Sequence, residues 1–302
     1  MKNVFIINPL AGRHSAEDAI REAIKPYEQE HDCQVYVTRE RGDAAEHVRR
    51  LCEQSSDDIR FYACGGDGTL NEVVNGAAGF AHAAVGAYPS GSGNDYVKYF
   101  GDKQPFLDVG RQLRGAQRRV DLMRVQGRYA INMVHFGLDA KVAAIMAKVR
   151  RWPFLGGRNA YITGVVGAFF QKLASPCQVI ADGEALNEDT LFLCTVACGQ
   201  YVGGGFRSSP RSDHADGLMD VCLIKLLPRL GFLGLVSAYK EGTHLEDPRL
   251  KGTLVYRQAR EVRLRPGVPY PISMDGELIT VEETAVELLP GAMRFIVPEG
   301  VR

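Results

Sequence analysis

The 302-residue chain has no excess charge of either sign: 36 Lys and Arg balance 36 Asp and Glu, for a formal net charge of zero. Without a basic surplus, or a basic-aromatic repeat of the RNA-recognition kind, the charge does not point to a nucleic-acid binder, no nucleic-acid partner is expected, and any basic surface must be local. A disulfide framework is absent too. The seven cysteines, at 33, 52, 64, 177, 194, 198 and 222, are odd in number and fit no zinc pattern. Most sit in apolar strand-like runs and read as reduced core thiols of a cytosolic protein. Long apolar runs are lacking: the stretches around Gly164 to Phe170 and Leu230 to Ala238 fall short of the ~20 residues of a membrane span. The run at Val4 to Ile7 is too short for a signal peptide. A soluble chain, able to touch a membrane surface, is expected. The seven histidines show no triad or metal spacing, and no repeat or low-complexity tract occurs.

What the chain does have is Gly65-Gly66-Asp67-Gly68-Thr69-Leu70-Asn71-Glu72, behind the apolar run Phe61-Tyr62-Ala63-Cys64. It reads as a strand, a glycine turn and a helix start, with the helix running from Thr69. Three glycines in four residues permit positive φ and clear side chains from the amides, and a helix N-terminus behind such a turn attracts anions. Asp67 cannot hold a phosphate itself, so it is assigned to magnesium-bound water or to the amides of the turn. No Gly-Lys-Ser or Gly-Lys-Thr follows and the Rossmann glycine spacing is wrong, so a different nucleotide fold is required.

Strand and helix patterns alternate through the first half. Residues 2 to 8 read as a buried strand, and Ser15 with Asp18 as the start of a helix bearing Ile20, Ile24 and Tyr27. Val35 to Val37 is a strand, Asp43 to Glu46 caps a helix carrying Val48 and Leu51, and Ala83 to Ala87 is a further strand. Pro89-Ser90-Gly91-Ser92-Gly93-Asn94-Asp95 then makes a second glycine-rich turn into a helix. The alternation implies a doubly wound parallel sheet, whose ligand edge would gather the turns Asn8 to Gly12, Gly65 to Glu72 and Pro89 to Asp95. From about Val120 short strands with glycine and proline turns predict an antiparallel β-rich sandwich, with helical interruptions at 138 to 150 and 158 to 173. At this length two domains are expected: 1–122 as the α/β nucleotide domain, with the tail from about 288 to 302 returning to it, and 123–287 as the β-rich domain.

Seven marks in order give the chain its resemblance to the diacylglycerol-kinase catalytic family, especially its soluble bacterial lipid kinases. They are Asn8-Pro9-Leu10-Ala11-Gly12; Gly65 to Thr69 continuing to Gly76; Pro89 to Asp95; Asn132 with Phe136-Gly137-Leu138-Asp139-Ala140; Gly203-Gly204-Gly205; Asp213 to Leu218; and Asp275-Gly276-Glu277. The resemblance implies a fold like NAD kinase and diacylglycerol kinase, ATP on the first domain, and γ-phosphoryl transfer to a lipid hydroxyl held between domains.

In that reading Asn8, Pro9 and Gly12 contact the nucleotide, Thr38 lies by the adenine, and Gly65, Gly66, Asp67, Gly68, Thr69, Asn71 and Glu72 wrap the phosphates. Ser92, Asn94 and Asp95 complete the site, with Ser92 where the family often has threonine. The resemblance also implies a water-linked acidic network of Asp67, Asp95 and Asp121 around magnesium, each following or ending a strand. A second, structural magnesium is implied at Asp213, Asp216 and the carbonyl of Leu218, residues that alone read as a polar turn. The proton acceptor is implied in the tripeptide at 275 to 277, with Asp275 and Glu277 both open; alone it reads as an Asp-Gly hairpin.

Residues 140 to 181 contain no Asp or Glu but carry Lys141, Lys148, Arg150, Arg151, Arg158 and Lys172 with Trp152, Phe154, Phe169 and Phe170. Such a stretch suits an anionic membrane surface. Peripheral contact through Arg150, Arg151, Trp152 and Phe154 at the inner face of the cell membrane is therefore expected, as is a homodimer by base rate. Diacylglycerol is the first lipid expected, ahead of phosphatidylglycerol, sphingoid bases and polyprenols. NAD kinase, which shares Gly-Gly-Asp-Gly, and a non-catalytic nucleotide or lipid sensor are the competing functions.

Overall fold

The computed structural model describes residues 1–11, 16–138, 140–142 and 174–301. It divides into two compact units, Met1–Asp121 with Gly291–Arg302, and Leu122–Pro290.

The first unit is built on parallel strands. β1 (Lys2–Ile7) lies between β2 (Asp32–Val37) and β3 (Ile59–Gly65), and β3 pairs with β4 (Ala83–Pro89). The C-terminal part of β17 (Thr284–Val297) adds a further parallel strand, with Arg294 opposite Ala84 and Phe295 opposite Val85. Near-continuous apolar strands are what a sheet covered on both faces requires, and Val4, Phe5, Ile6 and Ile7 are all buried.

The crossover helices are α1 (Ala16–Ile24), α2 (Asp43–Gln54) and α3 (Asp67–Ala77), followed by the short α4 (Val109–Leu113). On one face Phe5, Ile7, Tyr62 and Cys64 pack with Ile20, Ile24, Val109 and Leu113. α2 and α3 meet closely because residue 76 is glycine: a Cβ there would lie 2.6 Å from the Ala45 carbonyl oxygen and 2.7 Å from the Val48 Cβ. The chain leaves β1 toward β2 and re-enters on the other side at β3, so the carboxyl ends of β1 and β3 form the switch point where such sheets bind ligands.

Local readings differ from the structure at several points. α3 begins at Asp67, two residues before the expected Thr69, because Gly66 takes the extended N-cap conformation (φ −100°, ψ −167°). α2 is not capped by Asp43: Gly42, at φ 88°, is its N-cap, and the Asp43 carboxylate accepts from the Tyr36 hydroxyl and the Arg39 N–H instead. The turn ending at Asp95 leads into one short 3₁₀ segment, Tyr96–Phe100. None of the seven cysteines forms a disulfide, and six are buried.

The second unit is antiparallel. β5 (Ala116–Val125) runs into it and pairs with β6 (Arg128–Ala130). β7 (Met133–Gly137), β8 (Ser175–Ala181), β9 (Glu184–Ala185), β10 (Thr190–Leu191), β11 (Leu193–Ala197) and β12 (Met219–Ile224) follow. Next come helix α5 (Arg229–Glu241), then β13 (Leu254–Ala259), β14 (Glu261–Pro266), β15 (Tyr270–Met274) and β16 (Glu277–Val281).

One sheet runs β13-β12-β11-β7-β15-β16. Facing it are β10, β8, β14 and the first part of β17, and Phe136, Val196, Val221, Ile272, Val179, Val262 and Val286 form the core of the sandwich. The other face of the six-stranded sheet packs Phe192, Leu193 and Ile224 against Leu235, Ala238 and Tyr239, so the apolar stretch from Leu230 is a covering helix. Among the described residues no helix is long and apolar enough to cross a membrane. The helices expected at 158 to 173, and at 138 to 150 beyond residue 142, lie outside the described residues.

Candidate functional site

Three turns converge at the switch point of the first unit. Asn8, just past β1, donates its N–H to the Cys64 carbonyl at 3.0 Å and its Nδ2 to Thr69 Oγ1 at 3.2 Å, while its Oδ1 accepts the Leu10 N–H at 3.0 Å. Thr69 Oγ1 in turn leans over Gly65, where a Cβ would come within 2.2 Å of it. The second turn closes on the first: Gly91 N–H donates to the Gly65 carbonyl at 3.1 Å, and a Cβ on Gly91 would lie 2.4 Å from the Gly66 Cα. Thr38 joins from the end of β2, its N–H on the Ile7 carbonyl at 2.9 Å. Glu72 accepts the Gly42 N–H at 3.0 Å, fixing α3 to the start of α2.

The N-terminus of the eleven-residue α3 carries no side-chain cap. Its first-turn amides and the glycine backbone beside them are donors of the kind that suit phosphate oxygens. Pro9 is exposed and so is Ser92, whereas Thr69, Asn71, Asn94 and Asp95 are buried. Gly12 lies outside the described residues.

Two carboxylates meet there. Asp67 Oδ1 accepts the Asp95 N–H at 2.6 Å, and a Cβ on Gly93 would stand 2.5 Å from Asp67 Oδ2 and 3.6 Å from Asp95 Oδ2, so Gly93 keeps the space beside both clear. Burial first, and the neighbouring Asp95 charge second, push the Asp67 carboxyl up to about 6. The cation on this pair is Lys98, whose Nζ lies 2.5 Å from Asp95 Oδ1. Asn94, at φ 54°, donates its Nδ2 to the Gly91 carbonyl at 2.7 Å and leaves its buried Oδ1 without a partner.

Magnesium fits this donor set. Two carboxylates and a free amide oxygen supply hard oxygen donors, and magnesium takes its remaining ligands from water and phosphate. Asp121 does not end a strand as expected: it sits inside β5, buried, and accepts the Gly291 N–H at 2.7 Å. Among the described residues no three His, Cys, Asp or Glu side chains gather to hold a metal directly.

In the second unit, Asp213 and Asp216 are exposed, and each turns one oxygen onto its own loop, Asp213 Oδ1 accepting the Ala215 N–H and Asp216 Oδ1 the Leu218 N–H, both at 2.9 Å. These are Asx turns. The outer oxygens and the Leu218 carbonyl are the donors a cation there would use.

Asp275 and Glu277 part company. Asp275, at φ 48°, and Gly276, at φ 90°, form the two-residue turn between β15 and β16. The Asp275 carboxylate accepts three consecutive backbone N–H groups, Ile131 at 2.8 Å on Oδ2, and Asn132 at 3.1 Å and Met133 at 2.8 Å on Oδ1. Protonating it would forfeit part of that set. Glu277 is half-buried at the start of β16, opposite Met274.

Two residues that the structure sets beside the candidate site residues carry no role in the sequence reading. Lys98 was signalled only by its i,i+3 spacing from Asp95. Asn132 stands among the family marks; its Nδ2 donates to the Tyr201 carbonyl at 2.9 Å, holding the segment before Gly203-Gly204-Gly205.

Residues 2–125 match the diacylglycerol kinase catalytic domain and residues 132–297 the YegS C-terminal NAD kinase beta sandwich-like domain. The chain is 30% identical over 298 residues to a "Probable lipid kinase YegS-like" protein of Chromohalobacter salexigens, covering 96% of this chain and 92% of that one. It is 27% identical over 284 residues to a diacylglycerol kinase of Bacillus subtilis, covering 92% and 90%. The crystal structure of a diacylglycerol kinase from Bacillus anthracis superposes with a TM-score of 0.73 at 20% identity, covering 100% of this chain and 98% of that one, a likeness of fold. Open helix N-terminus, paired glycine turns and Asp-Gly-Glu hairpin thus stand on matched domains, and the chain belongs to the diacylglycerol kinase catalytic-domain family, as a YegS-like lipid kinase.

Proposed function

We propose that the enzyme uses ATP with magnesium and phosphorylates a lipid hydroxyl, diacylglycerol first, giving phosphatidic acid. The observation that carries this is the convergence of Asn8, Gly65-Gly66 and Gly91 on the uncapped α3 N-terminus beside the Asp67–Asp95 pair. The α3 amides and the glycine backbone hold the phosphates, and Asn8 and Thr38 flank the nucleotide. Asp67, Asp95 and Asn94 Oδ1 would hold magnesium through water, and the ion when bound neutralises phosphate charge.

The lipid hydroxyl oxygen forms a bond to the γ-phosphorus as the bond to the β-phosphate oxygen breaks, releasing ADP, and Glu277 takes the hydroxyl proton. Asp275 holds the Ile131–Met133 backbone and positions Glu277. Asp213, Asp216 and the Leu218 carbonyl are proposed to bind a second, structural cation. Approach to the lipid is proposed through Arg150, Arg151, Trp152 and Phe154, outside the described residues.

The test is transfer of labelled γ-phosphate from magnesium and ATP to detergent-dispersed diacylglycerol, phosphatidylglycerol, sphingoid base and polyprenol, beside NAD. Labelling of one lipid class that Glu277→Gln abolishes is the expected result. Labelled NADP would move the reading to NAD kinase, and nucleotide binding without transfer to a sensor.

A further inference from the structure

The second glycine turn carries its own cation, and we propose that Lys98 is a resident counter-ion that keeps the Asp67–Asp95 pair from taking free divalent metal until nucleotide arrives. This rests on the nucleotide reading above and adds the order in which metal and nucleotide enter.

Lys98 stands three residues after Asp95 on the 3₁₀ segment Tyr96–Phe100. Its Nζ reaches Asp95 Oδ1 at 2.5 Å and the Gly93 carbonyl at 2.8 Å, and the Asp95 N–H reaches Asp67 Oδ1 at 2.6 Å. Ammonium and both carboxylates thus form one linked group, and the Asp95 side chain is only 9% exposed, so solvent screens it little. A divalent ion entering alone meets an Asp95 carboxylate whose charge the ammonium already offsets, and drawing that carboxylate away weakens charge-assisted hydrogen bonds.

Metal entering with a triphosphate meets a different balance. The phosphates bring negative charge that the ammonium can follow, so its release from Asp95 is compensated. The second observation is Asn94, 7% exposed, whose Oδ1 has no partner and lies 3.1 Å from where a Gly91 Cβ would stand. It offers a lone pair to a cation within the same turn, on the residue next to Asp95.

The experiment measures Mn²⁺ binding to the full chain by electron paramagnetic resonance, without nucleotide or lipid. Lys98→Met and Lys98→Gln are expected to bind Mn²⁺ at least about tenfold more tightly than wild type, roughly 1.4 kcal/mol. Lys98→Arg should behave as wild type, and adding Asp95→Asn to Lys98→Met should erase the gain. Lys98→Gln keeps a hydrogen-bonding group on the turn, so a gain shared by Met and Gln reports the charge and not the loss of a tether. Equal Mn²⁺ affinity in wild type and Lys98→Gln, with an unchanged melting temperature, overturns the proposal; should both neutral variants unfold, tight Mn²⁺ binding by wild type alone does the same. A parallel arm follows thermal stabilisation of wild type by an ATP analogue: its absence would sink the nucleotide reading while leaving the metal comparison standing.

Discussion

The dipeptide Asp-Gly occurs in both units with opposite surroundings. Asp67-Gly68 opens α3, where the carboxylate receives the Asp95 N–H but faces a second carboxylate, and its proton affinity rises. Asp275-Gly276 turns a hairpin, where the carboxylate receives three amides. One carboxylate shares its buried surroundings with a second carboxylate; the other is saturated with donors and acts as a structural clamp. The same two residues thus stand in opposite electrostatic settings according to what surrounds their oxygens.

The sharpest break in that comparison separates Asp275 from its neighbour. Asp275→Ala should cost about 3–5 kcal/mol in denaturant unfolding, because it strands three backbone donors. Glu277→Gln should lower kcat by roughly 10²–10⁴ while stability stays within about 0.5 kcal/mol. An Asp275→Ala protein of undiminished stability would end the clamp assignment.

On the other side, Gly91→Ala sets a Cβ 2.4 Å from the Gly66 backbone. It should abolish the rise in melting temperature on adding ATP with magnesium, at a cost of about 1–3 kcal/mol to the apo protein. Retained nucleotide stabilisation would show that the two turns need not touch.

A smaller effect tests the Asp67 charge. Its folded-state carboxyl is raised to about 6 from 3.8. The native state therefore binds more protons than the unfolded chain between those values, so this stabilisation is complete below about pH 4 and is lost as pH rises through about 6. Asp67→Asn should flatten the slope of stability against pH in that window, by on the order of 1 kcal/mol after allowing for solvent beside the turn. Urea midpoints across the range check it.

The least effect is expected at the exposed loop. Asp216→Asn keeps an acceptor for the Leu218 N–H and should change stability without metal by less than about 0.5 kcal/mol. Any magnesium-dependent stabilisation of that loop should be lost, as differential scanning calorimetry with and without magnesium would show.

Much of the fold was legible because its signals are local. The parallel unit announces itself in apolar runs separated by helix patterns, and the two turns of the candidate site in glycines that no plain turn requires. Helix starts were less legible: Gly66 and Gly42 begin α3 and α2 through backbone geometry, where the sequence pattern began α3 at Thr69 and side-chain capping pointed to Asp43 for α2. Asp121 was misplaced for a related reason, since β5 continues past it by pairing with β6 and β17, and its carboxylate accepts the Gly291 N–H, 170 residues away.

The sequence by itself determined the strand and helix periods, the glycine turns, the acidic residues beside them and the order of marks that defines the family. Tertiary structure decided which charges and donors those residues meet. The amides that saturate Asp275 lie 142 to 144 residues upstream and reach it only because β7 and β15 pair. Spacing along the chain fixes local conformation, while the protonation and reach of a carboxylate depend on groups within a few ångströms, which only folding gathers.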